Sequence, residues 1–473
     1  MLHRMRDRAH HLDLDALRSE MGVEVGFAPE VLAEAGRAAS APARRDLAER
    51  EDRTDLPLVT VDPLGSTDLD QALAIEPLAD GWRVRYAIAD VAAWVEPDGA
   101  VDRSARARTQ TYYAPDLRAP LHPPSLSEVA ASLLPDGPRP AVLWTIDVDS
   151  SGATTAVDVR RALVRSRAQL DYAAVQADLD AGGGAEAIRA LPALGEALLE
   201  ASRERGAIEL GLPEQEVVAA PGGGWTVELR ADRAIERWNA QVSLLTGRAA
   251  AWLMLEGGIG ILRTLPAPDP ATFPRLRRAA SNLGIRWDAD EHPGEVLARL
   301  DTSDPRHAAF CELAAELLRG AGYTVVRGRP PVDPGHAGVG APYAHVTAPL
   351  RRLVDRFASE VCLSLAAGTP LPTWVDEGLD ALPGAMAQGD QRARRLDRAI
   401  VDATEALVLA DRVGSVFAAT VIEAGPKFGD VVLQSPPIRG RCDAGDLPLG
   451  GEVHVRCTEA DVAERRVRFE RVS

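Results

Sequence analysis

Lysine is nearly missing from this chain. Lys427 is the only one, so arginine carries almost all of the positive charge. With the abundant alanine this fits a GC-rich coding sequence and is not in itself an RNA signal. Cysteine is scarce as well. Cys311, Cys362, Cys442 and Cys457 are scattered without metal-ligand spacing, which points to reduced thiols in a cytosolic protein. No apolar run reaches the roughly eighteen residues of a membrane span. The opening MLHRMRDRAHHLDLDALRSEMG has no apolar segment before a cleavage site, so no signal peptide is expected. Net positive charge is also absent: 53 basic against 70 acidic residues leave −17. Such a balance argues against a protein that coats nucleic acid non-specifically, yet leaves room for a narrow basic channel in an acidic body.

What is present is globular. The 473 residues are 46% hydrophobic and 26% charged, enough for two or three domains with one sizeable core. The most informative stretch is Thr60 to Leu73, TVDPLGSTDLDQAL, set between the apolar run Leu56 to Thr60 and the strand-like Trp82 to Ala89. Asp62 ends the first run, and Pro63 and Gly65 turn the chain. Asp68 and Asp70, two apart in extended backbone, point to one side. Three carboxylates in one place repel unless a cation neutralises them. Hard oxygen donors without Cys or His indicate Mg²⁺ or Mn²⁺, which activates water and stabilises charge on a phosphate. An Asp-rich turn is also what an ordinary solvated loop looks like.

The whole string decides between these readings. It resembles the signature of the ribonuclease II / ribonuclease R family (the RNB domain), matching at Thr60, Val61, Asp62, Pro63, Asp68, Asp70, Ala72 and Leu73. Ser66 departs from the usual alanine, and Gln71 replaces the last of four acids. A second likeness is His336 to Phe357, HAGVGAPYAHVTAPLRRLVDRF, with His336, Gly338, Tyr343, His345, Thr347, Pro349, Arg351, Arg352 and Asp355 in place. Thr347-Ala348-Pro349 has the composition of a helix start, and a helix N-terminus beside Arg351 suits a phosphate. Weaker likenesses are IADVAAWV at Ile88, TQTYYAPDLRAPLHPPSL at Thr109, SRAQLDYAAVQADL at Ser166 and AIERWNAQVSLL at Ala234.

The resemblance implies an α+β fold. An RNB catalytic domain, a mixed sheet with surrounding helices, is expected over 57–410, and a small all-β S1-like OB barrel over 411–473. Residues 1–56 read as a short helical element, with helices around Asp13–Met21, Ala28–Ala39 and Ala43–Asp52, packing on the main domain and leaving no room for cold-shock domains. Five short alternating strands after Val413 suit the barrel. Phe417, Phe428, Arg439 and Arg441 there are candidates for stacking and phosphate contact.

The implied activity is hydrolytic, processive 3′-to-5′ degradation of single-stranded RNA to nucleoside 5′-monophosphates by a cytoplasmic monomer. Asp62, Asp68 and Asp70, with Gln71, would hold Mg²⁺ or Mn²⁺, Asp70 lying closest to the chemistry. Arg351 would stabilise the pentacoordinate phosphate, with Arg352 supporting it. Tyr113 would stack on terminal bases, worth about 1–3 kcal/mol per base. Tyr172 and Glu236 would meet the ribose. Gln71 brings no charge, so weaker metal binding or a Mn²⁺ preference is expected. It also keeps a catalytically weakened RNA-binding or scaffold protein in view. A D-x-D sugar-nucleotide transferase is disfavoured by the arginine motif and the barrel.

Overall fold

The computed structural model describes residues 12–41 and 50–472. Its centre is a five-stranded sheet in the order Glu51–Arg53, Thr154–Val164, Arg139–Val148, Trp82–Ala89, Gln71–Pro77. Glu51–Arg53 joins in parallel and the other pairings are antiparallel. Trp82–Ala89 and Arg139–Val148 lie inside the sheet, and their apolar runs bury Tyr86, Ile88, Trp144 and Ile146 completely. The strand Glu51–Arg53 lies before the boundary expected at residue 56 and belongs to this sheet. Its pairing with Ala162–Val164 recruits it, although its residues are polar. Of the helix expected over Ala43–Asp52, residues 43–49 lie outside the described residues, and Glu51 and Asp52 are strand instead of helix because they pair with Ala162 and Leu163.

Helices cover the sheet. Leu353–Ala367 packs on Thr154–Val164 and on Ala234–Gly257. It is fixed by two ion pairs, Arg356 to the buried Asp102 at 2.6 Å and Arg161 to Glu360 at 2.5 Å. The 28-residue helix Leu382–Leu409 starts with Pro383 in its first turn, where the missing N–H costs nothing. It then runs to the C-terminal barrel and buries Ala406 and Leu409 in the barrel core. The N-terminal helix Leu14–Glu20 places Leu14 and Leu17 on the same long helix, against Leu396, Ala399 and Ile400. Pro29–Ser40 gives Val31 and Ala35 to the main core. Both N-terminal helices are therefore packing elements.

The barrel is closed, in the order Val416–Ala424, Gly429–Leu433, Arg439–Cys442, Arg466–Arg471, Glu452–Asp461. One parallel pairing, Arg441 to Arg468, closes it, as in an OB fold. Along Glu452–Asp461 the alternation is clean: Val453, Val455 and Cys457 point inward. Phe417 packs on this core. Phe428 is exposed with Arg441 lying 3.5 Å over its ring, and Arg439 pairs with Asp430 and Glu312.

Glu405 joins three parts of the molecule. Its Oε1 accepts from Gln215 Nε2 and from the Arg439 N–H, each at 2.8 Å, so the long helix, the hairpin of Glu214–Ala219 and Trp225–Arg230, and the barrel meet at one buried carboxylate. Burial pushes its pKa up to about 7. The folded state therefore holds a proton that the unfolded chain releases at lower pH, and stability falls as pH rises between the two values. Glu405→Gln keeps the acceptor and removes the charge. Above pH 7 it should stabilise the fold by up to about 3 kcal/mol, read as a higher melting temperature, and at pH 4 it should leave stability unchanged. Scanning calorimetry at both pH values checks this.

Candidate active site

Asp62 closes the short strand Thr60–Asp62, paired in parallel with Gln169–Asp171. Pro63 and Gly65 then turn the chain, the turn closing with the Ser66 N–H donating to the Pro63 carbonyl at 3.1 Å. Gly65 has φ +83°, a backbone that side-chain-bearing residues rarely adopt. Leu69 is fully buried, its N–H bonded to Ser132 Oγ at 2.9 Å. That pins the extended piece so that Asp68 and Asp70, its neighbours on either side, face away from the core residue.

Asp70 is only 4% exposed. Its Oδ1 accepts the Leu350 N–H at 2.7 Å, and its Oδ2 lies 3.5 Å from Arg351 Nε. Burial pushes its carboxyl up to about 8, against the pull of Arg351. Burial likewise pushes Asp62 up to about 6, and its buried Oδ2 has no hydrogen-bond partner among the described residues. Asp68 is also shifted up by burial, with Arg118 opposing. Arg118 Nη1 donates to Asp68 Oδ1 at 2.5 Å, while Nη2 reaches Glu128 at 2.9 Å and Thr67 Oγ1 at 2.5 Å.

Gln71 opens the strand Gln71–Pro77 and looks toward the protein. Its Nε2 donates to the Thr347 carbonyl at 2.6 Å, and its Oε1 accepts from the Tyr86 hydroxyl at 2.7 Å. Thr347 Oγ1 in turn bonds Ser243 Oγ at 2.7 Å. The acidic loop and the arginine segment are thus joined twice, through Asp70–Leu350 and through Gln71–Thr347.

The arginine segment differs from the expected helix start. The helix begins at Leu353 with Arg352 as its N-cap, and Thr347 to Arg352 form a turn. Thr347 is not the cap, and Pro349 is not in the first helical turn. The reason is tertiary. Arg352 pairs with Gln110, and the Thr111 N–H bonds the Arg351 carbonyl at 3.0 Å, which holds Arg352 extended. Asp355 reaches back over the turn to accept the Ala348 N–H at 2.7 Å and the Arg352 guanidinium at 2.8 and 3.0 Å. Arg352 is thereby committed to Asp355, whereas Arg351 stays 46% exposed at the mouth of the site.

Tyr113 lies on the two-residue strand Tyr112–Tyr113, directly across from Arg118 on Arg118–Ala119. Its ring is 54% exposed. It borders a cleft of about 440 Å³ shared with Arg351, Arg352, Arg394 and Asp397. Tyr172 sits beside Asp62: burial, then the Asp62 charge, push its phenol up to about 12, and its hydroxyl accepts from Asn239 Nδ2 at 3.1 Å. Glu236 caps its own helix, accepting the Arg233 N–H at 2.8 Å and pairing with Arg230 at 2.7 Å. Asp62, Asp68, Asp70, Tyr113, Tyr172 and Arg351 therefore gather around one mouth, while the Gln71 amide is turned into the protein. Arg352 and Glu236 are held by neighbouring protein groups.

Arg118, Asn239, Ser243 and Tyr86 complete this surround and were not singled out by sequence reasoning. For Arg118 a signal existed: it is the only Arg or Lys between Thr109 and Leu126. The donor set fits a hard divalent cation. All donors are oxygens, one buried carboxylate oxygen on Asp62 is unsatisfied, and burial shifts the carboxylates up. Among the described residues, no three His, Cys, Asp or Glu side chains are already drawn together as a metal cluster. Asp68 is engaged by Arg118.

Fold and site define a class: a mixed-sheet domain whose acidic loop faces an arginine turn, followed by an OB-type barrel. The chain belongs to the RNB domain family, which residues 50–361 match, and residues 415–472 match the RNase II-type exonuclease C-terminal S1 domain. It is 28% identical over 448 residues to Ribonuclease R of Escherichia coli (strain K12), covering 88% of this chain and 52% of that protein. To Ribonuclease R of Thermotoga maritima it is 27% identical over 425 residues, covering 85% and 59%. The chain thus spans little more than half the length of these relatives. Among solved structures, Mycoplasma genitalium RNase R in complex with ribose methylated single-stranded RNA shares the fold, with a TM-score of 0.87, 20% identity, and coverage of 97% and 77%. So does yeast Ssd1, described as a pseudonuclease, with a TM-score of 0.67, 17% identity, and coverage of 88% and 52%.

The Gln71 geometry is testable. A carboxylate cannot donate to the Thr347 carbonyl, so Gln71→Glu should leave that carbonyl facing an acceptor and cost about 1–3 kcal/mol. The urea midpoint should fall accordingly, and an unchanged midpoint would refute the assigned contact.

Proposed function

We propose that the chain is a divalent-metal-dependent 3′-to-5′ exoribonuclease that hydrolyses single-stranded RNA to nucleoside 5′-monophosphates. One observation carries this reading above the rest: buried Asp70 sits against the Leu350 N–H and Arg351, beside the exposed ring of Tyr113. The names of the relatives support it. Direction, product and processivity are carried over from the family alone.

In this reading Asp62, Asp68 and Asp70, with Gln71 behind them, are the residues available to Mg²⁺ or Mn²⁺. A bound cation would supply activation of water and charge neutralisation at the phosphate. The protein's own groups do the rest. The Leu350 N–H fixes Asp70 so that one oxygen is committed and the other faces the mouth. Arg351, on the turn before the helix and half exposed, offers a planar fork of donors to a phosphodiester and to the charge that grows on it. Tyr113 offers its face to a base without regard to sequence. Tyr172, held by Asn239 beside Asp62, is placed to meet a ribose hydroxyl.

A second reading, an RNA-binding protein with weakened or no catalysis, draws on Gln71 at the fourth acidic position and on the fold shared with Ssd1. A time course on a 5′-labelled oligoribonucleotide separates the two. With Mg²⁺ or Mn²⁺, shortening from the 3′ end is expected, lost with EDTA, absent on the matched DNA and abolished by Asp70→Asn. Arg351→Lys should slow it by roughly a hundredfold. Tight RNA binding with no shortening in either metal would favour the second reading.

A further inference from the structure

The sheet has an open edge far from the acidic loop. Glu51–Arg53 pairs only with residues 162–164 of the strand Thr154–Val164, so among the described residues no strand pairs with the outer side of residues 154–161. A recess of about 300 Å³ lies there, lined by residues 154–157 and by Arg248, Ala249 and Trp252 of the helix Ala234–Gly257. Consecutive strand residues point to opposite faces. A recess that all four of them line is therefore set against the strand's edge, not on one face. No residue of the inner neighbour, Arg139–Val148, lines it. Thr154 pairs with Val148 and Val148 with Trp82, whereas Gln71 pairs with Ile88. The recess is thus about 20 Å along the sheet from the acidic loop.

Proteins usually guard such an edge with charge, with proline or with a covering element. Farther along this strand Arg160 pairs with Asp158 at 2.8 Å and with Glu51 at 3.7 Å. From Ser150 to Val157 there is no charged residue and no proline. The helix wall supplies two further features. Trp252 is 55% exposed, a large apolar ring beside the edge. Arg248, one turn earlier, is half-buried, and among the described residues its guanidinium has no ion pair and no hydrogen bond. Burial, then the neighbouring Arg205, push its pKa down to about 10. A charge withdrawn from water without a counter-charge is costly, and what would relieve it is an anion. A free phosphate or a nucleotide would answer Arg248 but leave the strand edge unmet. An extended peptide answers all three features: backbone for the edge, an apolar side chain for Trp252, a carboxylate for Arg248.

We infer that this edge is a docking site for an extended acidic segment of another protein. The segment adds as a strand along residues 154–157, sets an apolar side chain on Trp252 and gives a carboxylate to Arg248. Docking there leaves the mouth between the acidic loop and the arginine turn open.

Panning a phage-displayed random peptide library on the full chain, then measuring the enriched peptides by fluorescence anisotropy, tests this. The enriched peptides should alternate apolar residues with Asp or Glu. Their affinity should fall about tenfold or more on Arg248→Met, on Trp252→Ala, and when the peptide's acid is made the amide. Bound peptide should slow amide hydrogen exchange at residues 154–157. Arg248→Met keeps the aliphatic stem and removes the unpaired charge, so its melting temperature should rise as peptide binding is lost, which a merely structural arginine would not show. Enrichment of no acidic peptide overturns the inference. So does wild-type affinity in Arg248→Met or Trp252→Ala, or unchanged exchange at 154–157. Displacement of the peptide by adenosine 5′-monophosphate or by a single-stranded oligoribonucleotide also overturns it, and assigns the recess to a nucleotide. Trp252→Ala and the amide peptide leave Arg248 in place and decide the matter by themselves. Both variants should shorten RNA as the wild type does; a wild type that leaves RNA intact but binds peptide with this pattern removes the exoribonuclease reading alone.

Discussion

The site depends on one hydrogen bond across the chain, from the Leu350 N–H to the carboxylate of Asp70 at 2.7 Å. Both groups are buried, so each would be costly without the other. The bond settles where the arginine turn stands relative to the acidic loop, and hence where Arg351 stands relative to Asp70. Gln71, one residue on, repeats the joint with the Thr347 carbonyl. Gln71 opens the edge strand of the five-stranded sheet, paired to Ile88, so this second joint ties the sheet to the arginine turn.

Burial at this joint has an electrostatic consequence. Burial pushes Asp62 and Asp70 to about 6 and about 8, against the pull of Arg351. Such carboxylates favour a proton or a cation. The two arginines answer differently: Arg118 closes on Asp68, while Arg351 stays apart and half exposed. Both act on the site's own acids, Arg118 on Asp68 and Arg351 on Asp70, and Arg351 is the more exposed of the two.

Much of this was legible in the sequence, for reasons that differ by element. The acidic loop could be read because its logic is local: a Pro-Gly turn and a two-residue spacing fix which way Asp68 and Asp70 face. The barrel could be read because strands such as Glu452–Asp461 alternate one face in and one face out. The helix start at Thr347 could not. Thr and Pro carry genuine capping propensity there, but pairing with Gln110 and Thr111 pulls Arg352 into extended backbone, so the helix starts only at Leu353. Nor does sequence reveal partners far along the chain, so the roles of Gln71, Arg118 and Asn239 emerge only when distant segments meet. Glu51–Arg53 shows the same limit, as a polar strand recruited by its neighbour.

The central claim is that Asp70 ties the acidic loop to the arginine turn. Amide hydrogen exchange at Leu350 tests it most directly, in the wild type and in Asp70→Asn and Asp70→Ala. The account predicts strong protection in the wild type, protection retained in Asp70→Asn, whose side-chain oxygen still accepts, and protection lost in Asp70→Ala. Equal exchange at Leu350 in all three proteins would contradict it.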